Sequence, residues 1–369
     1  MSSAQTVTVA IIGAGPAGVS LSRHLDRLGI DHVVLERARV GETWRNLPPS
    51  LRLLSPWWTN ALSLRGALSR FPTAKVTAQD FTEHLLRLAD RQQHRIRSGA
   101  HVVTISRTAD AYTLTLEDGD HVHAQAVVCC TGYFSNPAPP RPAVESDGSI
   151  AELHASSISD YAQLDVLRSS GARALVIGKR VTAGQLALEL HKRDFQVAIS
   201  AMEPITFRRD GWLGEAKDTL YFPYEALRLA LQPRITANSF PIMDGGQVRT
   251  LVESGAIGTR SRATAIVRGA VEFDNGAIEH FDLVIHATGY TPSLGYLRQL
   301  PGLSWEADTP ASRDFEVLGS PGLFLLGLDN LYNFTSRYLR GIRRDAALLA
   351  PRLRAYVRAA EAMRETAER

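Results

Sequence analysis

The chain has 369 residues, 44% of them hydrophobic and 21% charged, the balance of a globular protein long enough to bury one large core or two of ordinary size. Its net charge of +3 comes without a cluster of Lys and Arg interleaved with aromatics, so no nucleic-acid partner is expected. No apolar run approaches the roughly 20 residues of a membrane helix, and Met1 to Gln5 carries no leader pattern, so the expectation is a cytoplasmic protein without membrane association.

Val7 to Ile12 is an apolar, β-branched run that predicts a strand; a glycine-rich turn follows, then apolar residues at helical spacing, Ala17, Leu21, Leu25 and Leu28. Gly29 ends that helix, and His32 to Leu35 forms a second strand closing on Glu36, completing a β-α-β unit of about 30 residues. Tyr112 to Leu116, the Asp118-Gly119 turn and an apolar run ending in Cys130-Thr131-Gly132-Tyr133 predict a hairpin. The only cysteines, Cys129 and Cys130, are adjacent in that run. This spacing suits neither a zinc site nor a C-x-x-C pair, so buried structural thiols are expected and dithiol chemistry is not. His121 and His123 share a face of the same strand and, without further placed ligands, read as surface residues; no metal site is expected.

Pro137 to Pro142 marks the exit from the first domain, and the same grammar then returns. Ala174 to Ile177 leads into Gly178, a helix carries Leu186 and Leu190, and Gln196 to Ser200 makes the next strand. Val271 to Phe273, the Asn275-Gly276 turn and Leu283 to Ile285 end in Ala287-Thr288-Gly289-Tyr290. The glycine turns lie 165 residues apart and the T-G-Y elements 157, so order and spacing recur together. The expected fold is α/β, with two Rossmann-like dinucleotide-binding domains, the second nested in the first: 1–150 and 291–369, interrupted by 151–290. Between Trp212 and Ile257 the sequence predicts one helix, near Glu225 to Leu231, and offers no motif.

Gly13-Ala14-Gly15-Pro16-Ala17-Gly18 fits G-x-G-x-x-G. The first glycine turns strand into helix, the second lets main chain approach a pyrophosphate, and the third lets helix and strand pack closely. The helix N-terminus adds unpaired N–H groups and a positive dipole. Glu36, 18 residues beyond Gly18, stands where a carboxylate accepts ribose hydroxyls. Together these predict dinucleotide binding.

Gly41-Glu42-Thr43-Trp44-Arg45 resembles the G-G-x-W segment of the flavin-containing monooxygenases, the YUCCA-type enzymes and the Baeyer–Villiger monooxygenases, with Glu42 at the second glycine. Leu51 to Pro56, Phe71-Pro72 and a helix over Phe81 to Leu88 resemble that family's stretch under the flavin ring. For Trp57 and Trp58, core packing is the competing reading. Leu323 to Gly327 resembles its last strand, and Gly341 to Ala346 its closing helix, whose N-terminus would face the flavin. Arg343, Arg344, Arg352 and Arg354 of that helix read as a solvated face. The resemblance implies FAD contacts from Gly13, Gly15, Pro16, Ala17, Gly18, Glu36, Arg37, Thr43 and Trp44. It extends them to Ser55, Val103, Thr131, Gly132, Gly327, Asp329, Gly341 and Ile342.

The family's second G-x-G-x-x-G binds NADPH. Here Gly178 keeps the first place, Arg180 takes the second and Ala183 the third. Two readings compete: Arg180 and Lys179 pair with phosphate as cations, or the unit has become a structural partner. Gly178, Lys179, Arg180, Thr182, Thr288 and Gly289 are the candidate NAD(P)H contacts; Arg208 and Arg209 are the candidate readers of a 2′-phosphate, and NADPH against NADH stays open. His154 stands where the family's linker histidine would be, but Gly148, Ile150 and Ile158 depart from that fingerprint, and a cap or hinge role is expected of it.

With no G-x-S-x-G, H-E-x-x-H or Walker loop, hydrolase and nucleotide-triphosphatase readings lack a site. The resemblance implies an enzyme, an FAD-dependent monooxygenase that takes hydride from NAD(P)H, adds O2 and oxygenates a small organic substrate through a flavin C4a-(hydro)peroxide. No side chain presents itself as an obligatory acid or base. A flavin oxidase or dehydrogenase that needs no nicotinamide is the alternative, and a non-catalytic flavin-binding accessory protein a third.

Overall fold

The computed structural model describes residues 4–108, 111–167, 171–207, 211–237, 243 and 246–367. Among these, Ala4–Ile12 lies at the centre of a nine-stranded sheet, parallel to His32–Glu36 on one side and His121–Cys129 on the other. Val9, Ala10 and Ile11 are fully buried because helices or strands cover both faces of the sheet, as a continuous apolar run requires. Tyr112–Leu116 instead alternates: Tyr112, Leu114 and Leu116 are buried and Thr113 and Thr115 are not, the pattern of a strand with one covered face. It pairs antiparallel with the first half of His121–Cys129, and Leu323–Leu325 pairs parallel with the last three residues of that same strand.

A second, five-stranded sheet holds Ile257–Arg260, Gln196–Ser200, Arg173–Ile177, Leu283–His286 and Ala151–His154, all parallel. A four-stranded sheet beside it takes Glu145–Ser146 as an edge. The first sheet is therefore drawn from 4–129 and 312–325, and the second unit is inserted between these parts. Since Glu145–Ser146 pairs with Ala263–Val267, the crossover into the second unit falls a few residues before position 150.

The closing helix, Leu339–Ala367, packs against the first helix, Pro16–Arg27. Arg343 is drawn into the protein, correcting the expectation, while Arg344 and Arg352 stay partly exposed yet are bonded as well. Arg343 donates to the carbonyls of Trp58 (3.1 Å) and Ala61 (2.9 Å), Arg344 bonds Asp345, Thr335 and Asn333, and Arg352 reaches the Asp314 carbonyl. Helical spacing shows which residues share a face but not which carbonyls of another segment lie opposite it. The helix expected near Glu225 begins much earlier, at Gly211, and runs to Leu231 with Pro223 inside it. An interior proline costs about 3 kcal/mol. Tertiary anchors flank it: Phe222 packs edge-on to Trp58, and the buried Glu225 carboxylate takes a two-pronged bond from Arg340 of the closing helix (2.6 and 2.8 Å).

Candidate active site

The carboxyl ends of the parallel strands of the first sheet open onto a cavity of about 680 Å³. Its wall includes Gly13, Gly15, Pro16 and Ala17 from the first turn, Glu36 and Arg37 from the second strand, and Thr43 and Trp44 beyond it. Ser55, Val103, Thr131, Gly132, Gly327 and Ile342 complete the sequence-derived set that lies there. This is the crevice outside the carboxyl edge where open α/β sheets take their ligands.

The three glycines of the first turn serve different ends. Gly13 has φ +101°, and a Cβ on it would stand 2.8 Å from the Cys130 carbonyl oxygen; a Cβ on Gly18 would stand 1.9 Å from that of Gly13. Both are demanded by the fold, and Gly18 does not line the cavity. Gly15 has an ordinary extended backbone, and nothing lies within 4 Å of the place its Cβ would take. The fold tolerates a side chain there; only something lying in the cavity would not.

Gly15 is also the N-cap of the first helix, with Pro16 at its start and no side-chain cap, which leaves the helix N-terminus facing the cavity. Glu36, 8% exposed, is fixed by two main-chain amides: Oε2 accepts from Ala14 (2.7 Å) and Oε1 from Ala38 (3.0 Å). Gly41, in the left-handed region, donates its amide to the Ala14 carbonyl and opens the short helix Glu42–Arg45, which turns Trp44 onto Phe81 (4.2 Å). Phe81 belongs to a helix, Ala78–Asp90, set by a Thr77–Asp80 capping box.

The closing helix also begins at this wall, with Tyr338, Leu339, Arg340 and Ile342 along it. Besides Gly18, two more of the sequence-derived residues lie off the wall, Gly341 and Asp329. Gly341 is required because a Cβ would meet the Thr335 carbonyl oxygen at 1.9 Å. Asp329 turns its carboxylate to Arg337 (3.1 Å), while its amide donates to the Tyr133 hydroxyl. Trp57 is fully buried with Nε1 on the Gly66 carbonyl, and Trp58 faces Phe222, so neither reaches the cavity.

Several wall residues went unread in the sequence. Asn60 is 4% exposed, its Nδ2 donating to the Ser55 carbonyl (2.8 Å), and Tyr133, Arg337 and Arg340 come from segments remote in the chain. A polar Thr59-Asn60 step directly after two tryptophans was the available signal for Asn60. Burial pushes the Cys129 thiol up to about 12 and that of Cys130, which lines the cavity, well above its ordinary value, which holds both in the protonated form.

The second unit repeats the first in space. Gly178, φ +151°, would press a Cβ to 2.6 Å of the Ala287 carbonyl oxygen as Gly13 would on Cys130, each the residue before a T-G-Y. The Gly178 amide donates to the Ser200 carbonyl as Gly13 does to Leu35. The helix Val181–His191 then starts from Arg180, exposed, in the place of Gly15. Lys179 pairs with Glu203, and Ala183 is buried at the third glycine's position. Thr182 is exposed, the Thr288 hydroxyl donates to the Ala138 carbonyl (2.6 Å), and Gly289 holds φ +90° with open space at its Cβ position. Arg208 and Arg209 lie outside the described residues. His154 caps the short turn Ala155–Ser157, its Nδ1 accepting from the Ser156 amide (3.1 Å), with its ring edge-on to Tyr290.

A glycine turn answered by a fixed acid, with the backbone of that turn repeated in a nested unit, defines a protein of two dinucleotide-binding-type domains. The chain belongs to the pyridine nucleotide-disulphide oxidoreductase family, which it matches over residues 10–327. Among curated relatives it is 25% identical to an uncharacterized oxidoreductase, CzcO-like, of Geobacillus kaustophilus, covering 93% of this chain and 97% of the relative. It is also 25% identical to the indole-3-pyruvate monooxygenase YUCCA4 of Oryza sativa subsp. japonica, over 91% of this chain and 84% of that protein. Among solved structures, a flavin-containing monooxygenase from Stenotrophomonas maltophilia shares the fold with a TM-score of 0.75 at 20% identity, covering 95% of this chain and 99% of that one. Among the described residues no helix is long and apolar enough to cross a membrane.

Proposed function

We propose that the chain is an FAD-dependent monooxygenase, drawing reducing equivalents from a nicotinamide dinucleotide and using O2 to oxygenate a small organic molecule. The observation that carries the flavin reading is Gly15: a glycine the fold does not need, bordering a cavity that a main-chain-fixed carboxylate, Glu36, also lines. The adenine-linked diphosphate would lie along Gly15 to Ala17 with a ribose on Glu36, and Thr131, Gly132, Gly327 and Ile342 would bound the ring system. On this reading the flavin unit is 1 to about 144 and 291–369, and the nicotinamide unit begins with the edge strand Glu145–Ser146 and runs to 290. Bound FAD supplies hydride acceptance and oxygen chemistry. The protein's share is to orient it and, through the N-terminus of the closing helix, to stabilise negative charge on the reduced ring. Buried Cys129 and Cys130 favour this over dithiol exchange. The monooxygenase relative supports oxygenation as the outcome.

Apoprotein titrated with FAD tests the reading: tight uptake at micromolar concentration is expected, followed by O2 consumption when NADH or NADPH is added. A colourless protein that refuses FAD overturns it. Arg180 favours a second reading, a flavin oxidase or dehydrogenase reduced by its own substrate. Anaerobic mixing separates the two, since a flavin that neither nicotinamide bleaches belongs to the second.

A further inference from the structure

In the first unit an acid stands beside the glycine turn because the Glu36 carboxylate accepts the Ala14 amide. In this fold that is where an adenosine ribose lies, and a carboxylate there accepts its hydroxyls. In the second unit the backbone match of Ser200 to Leu35 puts Ala201 at the place of Glu36. The acid comes two residues later. Glu203 pairs its carboxylate with Nζ of Lys179, the residue that follows Gly178 as Ala14 follows Gly13. Turn and acid meet again, through a side chain instead of the main chain.

We propose that the second unit takes a nicotinamide dinucleotide with a free 2′-hydroxyl, NADH in preference to NADPH, and that Glu203 is the residue that selects it. The proposal rests on the reading above that this unit binds the reductant. A ribose diol donates to a carboxylate, whereas a 2′-phosphate brings close to two negative charges against it. Lys179 offsets one charge and already shares it with Glu203. Met202 and Pro204, beside Glu203, add no cation. Arg180 has the extended backbone of Gly15, so the turn itself is preserved. Its guanidinium brings positive charge to the diphosphate where Gly15 offers close main-chain approach.

The test is calorimetric titration of the FAD-loaded protein with NAD+ and NADP+, which bind without turnover. NAD+ is expected to bind at least about tenfold more tightly than NADP+. Glu203→Gln, which keeps the shape and removes the charge, should narrow that ratio by strengthening NADP+. Equal or tighter binding of NADP+ by the unaltered protein, or a ratio untouched by Glu203→Gln, overturns the role of Glu203 and leaves the flavin reading standing. If fully flavin-loaded protein binds neither nucleotide, the proposal fails together with the nicotinamide part of the proposed function.

Discussion

Gly15 and Arg180 begin the first helices of their units in the same extended conformation, φ −81°, ψ −168° and φ −109°, ψ −174°. Neither backbone asks for glycine, so the difference between them lies in what each must admit. Gly15→Ala is accordingly expected to leave the melting temperature of the apoprotein unchanged and to weaken FAD about tenfold or more. Gly18→Ala meets the Gly13 carbonyl and should cost about 3 kcal/mol in urea denaturation. If both variants lose stability alike, the distinction between a glycine for the fold and a glycine for the ligand is wrong.

The Glu225–Arg340 pair is nearly dry, with side chains 5% and 16% exposed, and joins the helix Gly211–Leu231 to the cavity wall. Truncating one partner strands the other. Glu225→Ala is expected to cost about 3–5 kcal/mol in unfolding free energy. The double variant Glu225→Leu, Arg340→Met should cost less than that single one. A double variant as unstable as the sum of the singles would show that the two residues act independently.

Much of this was legible because it is written in short motifs. Gly13 and Gly178 open theirs, although the Cys130 and Ala287 carbonyls that demand them lie more than a hundred residues further on, and Glu36 stands at a fixed spacing from the first turn. Asn60 and Arg340 reach the cavity only after the chain has closed on itself, so no spacing announced them. Pro223 and Gly214 masked most of a helix whose support comes from Trp58 and Arg340 on other segments, which meet its Phe222 and Glu225. Arg343 resembled a surface cation because its acceptors, the carbonyls of Trp58 and Ala61, belong to a remote short helix, Trp57–Asn60, and its C-cap.

His84 gives a pH signature. Burial, with help from Arg87, Arg23 and Arg70, pushes its imidazole down to about 4, and Nε2 accepts the Leu62 amide (3.1 Å), which only the neutral ring can do. The unfolded chain takes up this proton first. Stability from this group is therefore full above about pH 6.5 and is lost as pH falls from there through about 4. Urea midpoints at pH 7.5 and 5 should differ less in His84→Gln, whose amide oxygen can accept from Leu62 without titrating. An unchanged difference would remove His84 as its source.

The two thiols should be silent. Folded protein is expected to react with no equivalent of a thiol-specific disulfide reagent, and two should appear on unfolding, one each from Cys129 and Cys130. Cys129→Ala with Cys130→Ala should keep the rate at which bound flavin is reduced. A collapse of that rate in the double variant would reinstate dithiol chemistry.

The nested order of the sheets has a consequence for biosynthesis. Leu323–Leu325 docks beside His121–Cys129, and the closing helix lies on Pro16–Arg27, so both wait for everything from 151 to 286 to leave the ribosome. During translation the inserted unit has all its strands before its host does, and the nascent N-terminal half must stay soluble with one sheet edge and one helix face uncovered until the segment from Ser312 onward arrives.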